Sequence, residues 1–498
     1  MKGVLVMKKI LLVLLVLALT TAVLAVPYAS RIRVSSTAIS VGSGLTITYI
    51  INEAGGAATI YIIKVSDISV VATFSGTATR GLNTVVWNGK VDNASGAAVP
   101  AGDYRVKITV SKTAASAWAE ISSNHSLTNL LAAGEPDTTY NTLFIDGYSP
   151  NEILIAKNPE QASFGLVLSP TSYTGTNPRY GLVVLNPDLS CYDGADGLAT
   201  WLNFPGTPTT PNGAFWGSCF DPDDPETVWG CGQSVESNVF NGKYNDTTAV
   251  DATNGNTNVA NSRDIGVVKQ GADKYAYVAQ GLATIWKIKI ISGNKLDTTS
   301  VNILGLADTT RYSKNINFDS NGNLYWTSRY TDSASGNGGA VYRWSKAQIE
   351  AASAGSLTEA NAQWNIQLAG SNGGGVAITP NGDVYARVLN EDPGNDGSLR
   401  GIYFCGNTAT ASIVKTLTSA DRIWAFFGTV YTGQVYSIYT SVESDIAGNI
   451  YFGDRSREQI RVIGPGGTTS VPIVAPTSQN FNITAVGALG AKNWNIYE

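Results

Sequence analysis

The segments INFDSNGNLYW (316–326), VAITPNGDVYA (376–386) and VESDIAGNIYF (442–452) share one pattern: an apolar stretch, a polar turn with glycine, and a strand of β-branched or aromatic residues. Their turn glycines lie 60 and 66 residues apart. Glycine beside asparagine supplies the positive φ of a tight turn, so each copy predicts a β-hairpin. We assign the turns to Asn321, Gly322, Asn381, Gly382, Gly448 and Asn449.

A hairpin repeat of this length indicates a four-stranded unit that buries its faces only against neighbouring units. Residues 136–498 have room for six to eight such units, with looser copies at 219–232 and 267–279. We therefore predict a β-propeller over residues 136–498. An array of sandwiches or a solenoid is the alternative, although a solenoid needs shorter, more regular repeats. Residues 345–364, rich in Ala, Glu and Gln, predict a helix inserted between strands on the rim.

Residues 26–112 predict a two-sheet β-sandwich, so the whole chain is expected to be all-β. Apolar and polar residues alternate in 45–49 and 104–110 with the period of a sheet that buries one face. Gly, Asn and Asp cluster between the strands, at 55–56, 88–89 and 92–96. Residues 113–135 lack periodicity and predict a linker to the propeller.

Two motifs frame the last strands of this region, and they contain Trp87, Asn88, Gly89, Pro100, Gly102 and Tyr104. We expect Trp87 to cap the core, Gly89 to take a left-handed turn, and Pro100 to shape the start of the final strand. The motifs closely resemble the immunoglobulin-like domain of the flagellar hook-capping protein family, over about residues 31–112. The resemblance implies an immunoglobulin-like accessory module. Nothing else in the chain resembles a hook cap, so no flagellar function is implied.

The repeated segments after the linker are similar in style to propellers of the NHL and strictosidine-synthase-like kind, which occur in exported proteins. That resemblance implies a six- or seven-bladed fold and no particular activity.

Residues 1–25 have the layout of a secretory signal. Lys2, Lys8 and Lys9 precede an apolar run over 10–19, and small residues end the segment at Ala25. The apolar run is short for a membrane span, so we expect cleavage after Ala25 and no membrane span in the mature chain. An uncleaved anchor is the alternative. The expected location is secreted, periplasmic or at the cell surface.

The charge balance argues against nucleic acid as a partner. The chain carries 33 Lys and Arg against 38 Asp and Glu, a net charge of −5, and loss of the leader lysines makes it more negative. Such a surface repels phosphate backbones. We expect a protein or glycan partner at one propeller face.

We predict no catalytic residue, cofactor site or metal site. The one histidine, His125, falls in the predicted linker, and no Gly-x-Ser-x-Gly segment accompanies it. One histidine without a Cys-x-x-Cys pair argues against zinc. The acidic segments 221–224 and 391–396 could hold calcium, but Asp beside Pro or Gly is ordinary turn chemistry. A pair of carboxylates that cleaves glycosides is a further alternative, because the two residues of such a pair lie far apart in sequence.

The cysteines offer one candidate disulfide. Cys219 and Cys231 flank a turn-rich stretch, which suits a bridge across a hairpin in an oxidising compartment. Two buried thiols are the alternative. Cys191 and Cys405 are the leftover pair, far apart in sequence.

We therefore predict an exported, non-catalytic binding or scaffold protein, with the propeller as platform and the sandwich as spacer or attachment. Trp201, Trp216 and Trp424 are candidates for sugar or peptide stacking, although most aromatic residues should serve packing. The alternatives are a secreted carbohydrate-active hydrolase or lyase that uses carboxylates, and a structural component of the cell envelope.

Overall fold

The computed structural model is almost entirely β-structure, as the sequence predicts. It describes residues 27–40, 43–53, 56–112, 118–123, 148–173, 181–190, 192, 214–233, 239–246, 249–309, 311–330, 339–368, 372–389, 401–425, 441–454, 459–465, 471–474 and 481–484. Within these ranges, no helix is long and apolar enough to cross a membrane. The predicted leader, residues 1–25, lies outside them.

Two sheets form the N-terminal region. Their strands are β1 (Ala29–Val34), β2 (Ala38–Ser40), β3 (Leu45–Ile51), β4 (Ala57–Lys64), β5 (Val70–Gly76), β6 (Gly81–Trp87), β7 (Gly102–Ser111), β34 (Val471–Val474) and β35 (Phe481–Thr484). The first sheet has the order β1-β3-β6, and the second has the order β2-β35-β7-β4-β5, with β34 also paired to β7. Both sheets contribute to one apolar core, which includes Leu45, Ile60, Trp87 and Val106.

The motif residues of this region occupy the expected places. Trp87 is fully buried in the core, and its Nε1 donates to the carbonyl of Lys90 at 2.8 Å. Gly89 has φ of 76°, the left-handed conformation expected at that turn. The Tyr104 hydroxyl donates to the carbonyl of Pro100 at 2.6 Å, which ties the turn to the strand that begins at Gly102.

The remaining strands form five sheets, and the eight-stranded one consists of two units joined by a single pairing of Ser172 with Ala214. We number the resulting six units blades 1 to 6. Blade 1 contains β9 (Tyr148–Pro150), β10 (Leu154–Ile155), β11 (Val167–Tyr173) and β12 (Gly181–Leu185); blade 2 contains β13 (Ala214–Phe220), β14 (Thr227–Gln233), β15 (Val239–Lys243) and β16 (Val250–Asp251); blade 3 contains β17 (Ser262–Gln270), β18 (Asp273–Gln280), β19 (Thr284–Ile291), β20 (Lys295–Leu296) and β21 (Val301–Asn302).

The second half repeats the arrangement. Blade 4 contains β22 (Arg311–Phe318), β23 (Leu324–Tyr330), β24 (Ala340–Trp344) and β25 (Trp364–Gln367), with β29 (Ile413–Thr416) parallel to β25; blade 5 contains β26 (Asn372–Ile378), β27 (Asp383–Leu389), β28 (Gly401–Asn407) and β30 (Arg422–Ala425); blade 6 contains β31 (Val442–Ser444), β32 (Ile450–Asp454), β33 (Gln459–Pro465) and β8 (Trp118–Ser123). Short 3-10 turns occur at Thr257–Val259 and Ser419–Asp421.

The blades close into a ring. The first strands β13, β17, β22, β26 and β31 contact one another in that order, and β10 contacts both β31 and β13. The described strands outside the two N-terminal sheets therefore form a six-bladed β-propeller, at the lower end of the predicted range. A closed ring excludes the solenoid and the array of sandwiches.

Separate apolar cores hold neighbouring blades together, as the repeat predicts. Tyr277 and Ile285 of blade 3 pack with Trp326 and Tyr342 of blade 4. Similar clusters join blades 1 and 2, 2 and 3, 4 and 5, 5 and 6, and 6 and 1. Trp229, Trp326, Trp344 and Trp364 are fully buried, so these tryptophans serve packing.

The predicted linker, residues 113–135, is corrected by the structure. It contains β8, which pairs antiparallel with β33 and completes the last blade. Arg461 Nε donates to the Glu120 carboxylate at 2.8 Å and fixes the two strands. An N-terminal strand thus closes a ring whose other strands come from later in the chain. His125 lies outside the described residues.

The predicted propeller boundary at residue 498 is also corrected. Strands β34 and β35, near the C-terminus, pair antiparallel with β7 of the sandwich, and β35 runs parallel to β2. The unpaired edge of β7 offers backbone hydrogen bonds, which these strands take up. The propeller is therefore inserted between two parts of the sandwich, rather than following it.

The two regions also touch. The ring of Tyr28 lies 5.7 Å from that of Phe164 in blade 1, and Arg80 Nη2 donates to the carbonyl of Asp188 at 2.5 Å. Phe164 and Ala447 belong to the apolar core of the sandwich. The sandwich is thus packed against blades 1 and 6.

The predicted helix over 345–364 is shorter in the structure. Helix α1 spans Lys346–Glu350, with a capping box between Ser345 and Gln348. Beyond it, the N–H groups of Gly355 and Leu357 donate to Asn302 and Ile303 of blade 3 at 3.0 and 2.9 Å. These bonds between blades replace further helical bonds. The segment does lie between two strands of one blade, β24 and β25.

The repeated turns are hairpin turns, with one difference from the expectation. Gly322, Gly382 and Gly448 have φ of 79°, 85° and 81°, whereas their asparagine neighbours do not take positive φ. Asp319 and Asp445 instead accept bonds from two N–H groups across each turn, at 2.9 Å. A side-chain cap therefore replaces the second positive φ.

Candidate functional site

One residue in or next to the innermost strand of each blade occupies an equivalent place on the propeller axis, which we call the axial position. Where the hairpin turn is tight, this residue lies seven places before the turn glycine, as Asp264 does before Gly271 and Asn315 before Gly322. The six axial residues are Glu152, Gly217, Asp264, Asn315, Gly375 and Ser441.

Hydrogen bonds run from blade to blade at the axial position. In four of the six blades the axial side chain accepts from the N–H that follows the axial residue of the next blade. Asp264 Oδ2 accepts from Ile316 N at 2.6 Å, and Asn315 Oδ1 from Val376 N at 3.2 Å. Ser441 Oγ accepts from Ile153 N at 3.0 Å, and the Glu152 carboxylate accepts from Ser218 N. We call this arrangement the axial clasp.

Glycine takes the axial position where the next strand comes too close for a side chain. A Cβ on Gly217 would lie 2.4 Å from Cα of Asp264. One on Gly375 would lie 3.0 Å from Cα of Ser441. Contacts closer than about 3 Å cannot be accommodated without moving a strand, so glycine sets the spacing of these blades.

Asn315 links three blades. Its Nδ2 donates to Asp264 Oδ2 at 2.8 Å and lies 3.3 Å from Glu152 Oε1. The other oxygen of Asp264, Oδ1, accepts from Ile265 N at 2.7 Å. Both oxygens of Asp264 and both of Glu152 therefore have donors.

Burial dominates the titration of these carboxyl groups. It raises the pKa of Glu152 well above its ordinary value, and the negative charge of Asp264 raises it further. Burial also raises the pKa of Asp264 to about 7, against the bonds from Ile316 and Ile265, which lower it. At neutral pH the two groups together hold at least part of a proton.

The inner strands carry β-bulges just before the axial position. The pairing register shifts between Phe215 and Gly217, Ser262 and Asp264, Ser313 and Asn315, and Gly373 and Gly375. A bulge leaves one residue unpaired and re-aims its side chain. The bulged residues are Trp216, Arg263, Lys314 and Gly374, and all four line a small depression of about 10 Å³ at one end of the axis. We call this depression the mouth.

A second, larger cavity lies on the other side of the axial carboxyl groups. It has a volume of about 160 Å³, and its polar lining includes Glu152, Asn315, Asn317 and Glu443. Glu443 Oε1 accepts from Lys157 Nζ at 2.8 Å, and Asn317 Nδ2 lies 3.3 Å from Glu443 Oε2. Several acids thus converge on the axis, as the alternative of a carbohydrate-active enzyme requires. Groups of neighbouring blades donate hydrogen bonds to each of these acids.

The structure corrects the predicted disulfide. Cys219 and Cys231 are free thiols, and so is Cys405. Cys219 pairs with Trp229 and Cys231 with Gly217, so the two cysteines sit diagonally on adjacent strands instead of directly opposite each other. Burial, followed by the charge of Asp264, raises the pKa of both thiols well above the ordinary value. Cys191 lies outside the described residues.

The first acidic segment consists of ion-paired turn residues. Asp221 accepts from Lys274 Nζ at 2.8 Å, and Asp223 accepts from Lys269 at the same distance. Asp221 also accepts from Trp229 Nε1 at 2.9 Å. In the described ranges no cluster of His, Cys, Asp and Glu suits a metal ion. The second acidic segment, 391–396, and Trp201 lie outside those ranges.

Of the predicted stacking residues, Trp216 lies at the mouth and Trp424 packs against the core between blades 5 and 6. Sequence reasoning missed the axial residues and Arg263. Counting back from each turn glycine would have aligned Asp264, Asn315 and Ser441, but bulges leave no mark in a single sequence.

No family model and no curated protein matches this chain. Similar solved structures include a protein of unknown function from Bacteroides thetaiotaomicron, 10% identical over 87% of this chain and 97% of its own, with a TM-score of 0.38. A gluconolactonase-like protein is 9% identical over 66% and 92%, with a TM-score of 0.36. A β-propeller domain from Myceliophteria thermophila is 8% identical over 64% and 96%, with a TM-score of 0.35. The propeller assignment rests on the sheet topology, to which these low scores add nothing.

Proposed function

We propose that this chain is an exported, non-catalytic binding protein whose propeller presents a ligand surface at the mouth. One observation carries the proposal: backbone N–H groups of neighbouring blades engage the acids on the axis. Asp264 accepts from the backbone N–H of Ile316 and the side-chain amide of Asn315 in blade 4, and Glu152 accepts from the backbone N–H of Ser218 in blade 2. A carboxyl group that attacks or protonates a substrate must reach it, whereas these groups hold the ring together.

The side chains at the mouth are suited to binding. Trp216 and Arg263 are half-buried, and Lys314 extends from the adjacent bulge. Rigid strands carry them, which limits the conformational entropy lost when a ligand binds. A glycan or a protein segment is the expected partner, and the acidic surface disfavours nucleic acid.

We assign the sandwich to the immunoglobulin-like, hook-capping type as an accessory module. Buried Trp87, the left-handed Gly89 and the bond from Tyr104 to Pro100 support the assignment. Because the chain crosses between sandwich and propeller at both ends of the propeller, we expect a fixed attachment rather than a flexible spacer. Kinship of the propeller with the NHL group stays a prediction.

Export is the cellular part of the proposal. The layout of residues 1–25 supports cleavage after Ala25. Mass spectrometry of the mature chain, with fractionation of envelope and medium, tests both cleavage and location. A mature chain that retains residues 1–25 would favour the anchored form, and recovery in the envelope alone would favour a structural role.

A glycan array and a protein pull-down with the purified chain test the binding function. We expect a specific ligand whose binding Trp216→Ala weakens and Tyr61→Ala, on the sandwich, leaves unchanged. Failure of both screens to recover a specific ligand would count against the proposal.

A carbohydrate-active enzyme is the second candidate, because Glu152 lines the 160 Å³ cavity and both Glu152 and its neighbour Asp264 have raised pKa values. Such a pair can supply a protonated acid. This candidate predicts cleavage of a polysaccharide that Glu152→Gln abolishes, whereas a binding protein cleaves nothing in either form.

A further inference from the structure

We propose that Arg263 is the anion-binding group of the mouth and that it binds the carboxylate of an acidic, uronate-type sugar. The inference rests on the proposed binding function and names its ligand class. It starts from the way the fold holds this guanidinium.

Arg263 is a positioned cation. Its Cζ lies 4.8 Å from the ring centroid of Trp216 and 5.3 Å from that of Tyr312. Its Nη2 lies 3.3 Å from the Tyr312 hydroxyl. Two aromatic rings and a bulged backbone therefore fix the side chain before any ligand arrives.

The charge of Arg263 has no carboxylate partner in the part of the chain that the structure describes. Its buried Nε likewise has no acceptor there. The nearest acid along the chain, Asp264, already accepts three hydrogen bonds at the clasp. A guanidinium binds a carboxylate through two parallel N–H donors, so an anionic ligand would satisfy both its charge and its donors.

The size of the mouth indicates which part of a ligand enters. About 10 Å³ holds a single water-sized group, so the depression has room for a carboxylate oxygen. Lys314 lines the same depression and adds positive charge, and Asn151 adds an amide. The axial acids Glu152 and Asp264 also line it, but their oxygens already accept hydrogen bonds in the clasp.

The neighbouring indole favours a sugar as the carrier of the carboxylate. Trp216 is half-buried at the edge of the mouth, where it offers apolar surface beside the cation. A pyranose ring presents apolar C–H groups next to its carboxylate, and aromatic side chains with a few placed polar groups are typical of small-ligand sites. A peptide C-terminus would also bind the guanidinium, but it would make less apolar contact with the indole.

Calorimetric titration of the full chain tests the proposal with three probes: trigalacturonate, the neutral galactose trimer, and a short peptide with a free C-terminus. We expect binding of trigalacturonate only. Arg263→Gln should weaken it about tenfold or more, because a charge-assisted bidentate bond is lost. Lys314→Gln should weaken it less. Arg33→Gln, at an exposed position of the sandwich, makes the same charge change and should leave binding unaltered.

The proposal is overturned if trigalacturonate does not bind, if the neutral trimer or the peptide binds as well, or if folded Arg263→Gln binds like the unmodified chain. Circular dichroism of each variant establishes folding. Should Arg263→Gln not fold, the affinity of Lys314→Gln for trigalacturonate tests the proposal in its place, and unchanged affinity would overturn it. A neutral glycan recovered on the array would remove this inference and leave the binding function standing.

Discussion

Replacement of Asn315 by leucine should weaken the propeller more than any exposed substitution of the same kind. Leucine has nearly the same size but offers neither donor nor acceptor. The variant leaves Val376 N without its acceptor at 3.2 Å and removes the donor at 2.8 Å from Asp264. The variant also removes the contact of Asn315 Nδ2 with Glu152 Oε1 at 3.3 Å.

The magnitude follows from the groups left unsatisfied. A buried N–H without a partner costs about 1–3 kcal/mol, and a hydrogen bond to a carboxyl group contributes about 1.5–3 kcal/mol. Together they predict a loss of about 2.5–6 kcal/mol in the free energy of unfolding, and the loss falls at the lower end of that range if water replaces one bond. The matched control is Asn321→Leu, because Asn321 is exposed at a turn. Exposed substitutions usually change stability by less than about 0.5 kcal/mol.

Urea unfolding followed by tryptophan fluorescence measures the difference. A double-mutant cycle with Asp264→Ala and Asn315→Ala isolates the contact between blades 3 and 4, and we expect a coupling of about 1–3 kcal/mol. The clasp would be refuted if Asn315→Leu and Asn321→Leu differed by less than about 1 kcal/mol, or if the cycle were additive.

Three further results are expected. Burial raises the pKa of Asp264 and of Asp445 to about 7, so the folded chain keeps protons that the unfolded chain, with pKa near 3.9, releases between about pH 4 and 7. The contribution of these two groups to stability should therefore be fully present below about pH 4 and be lost as the pH rises through 7. The urea midpoint should fall less steeply between pH 4 and 7 in Asp445→Asn than in the unmodified chain, and equal slopes would contradict this. Gly217→Ala should cost about 2 kcal/mol or more, because its Cβ would meet Asp264 at 2.4 Å, and an unchanged melting temperature would argue against such close blade spacing. Cys231 should react with a thiol reagent only after denaturation, since it is a buried free thiol with a raised pKa; full alkylation resistance in the denatured, unreduced chain would instead reveal a disulfide.

Local patterns were sufficient for much of the fold. The Gly322, Gly382 and Gly448 turns and the apolar strands beside them specify hairpins, because positive φ and two-residue periodicity are properties of short segments. The same holds for Trp87 and Gly89 in the sandwich. The site was less accessible: Asp264 and Asn315 are ordinary polar residues in sequence, and Trp216 was the one mouth residue that composition suggested.

The sequence by itself determined that the chain is all-β, where its tight turns fall, and which segments form sandwich strands and repeated hairpins near them, since neighbouring residues encode these features. Only the tertiary structure decided how the ring closes, with β8 completing blade 6 and with β34 and β35 returning to β7. It alone brought Glu152, Asp264 and Asn315 together on the axis. Strand pairing and convergence on an axis depend on contacts between residues hundreds of positions apart, which no local pattern records.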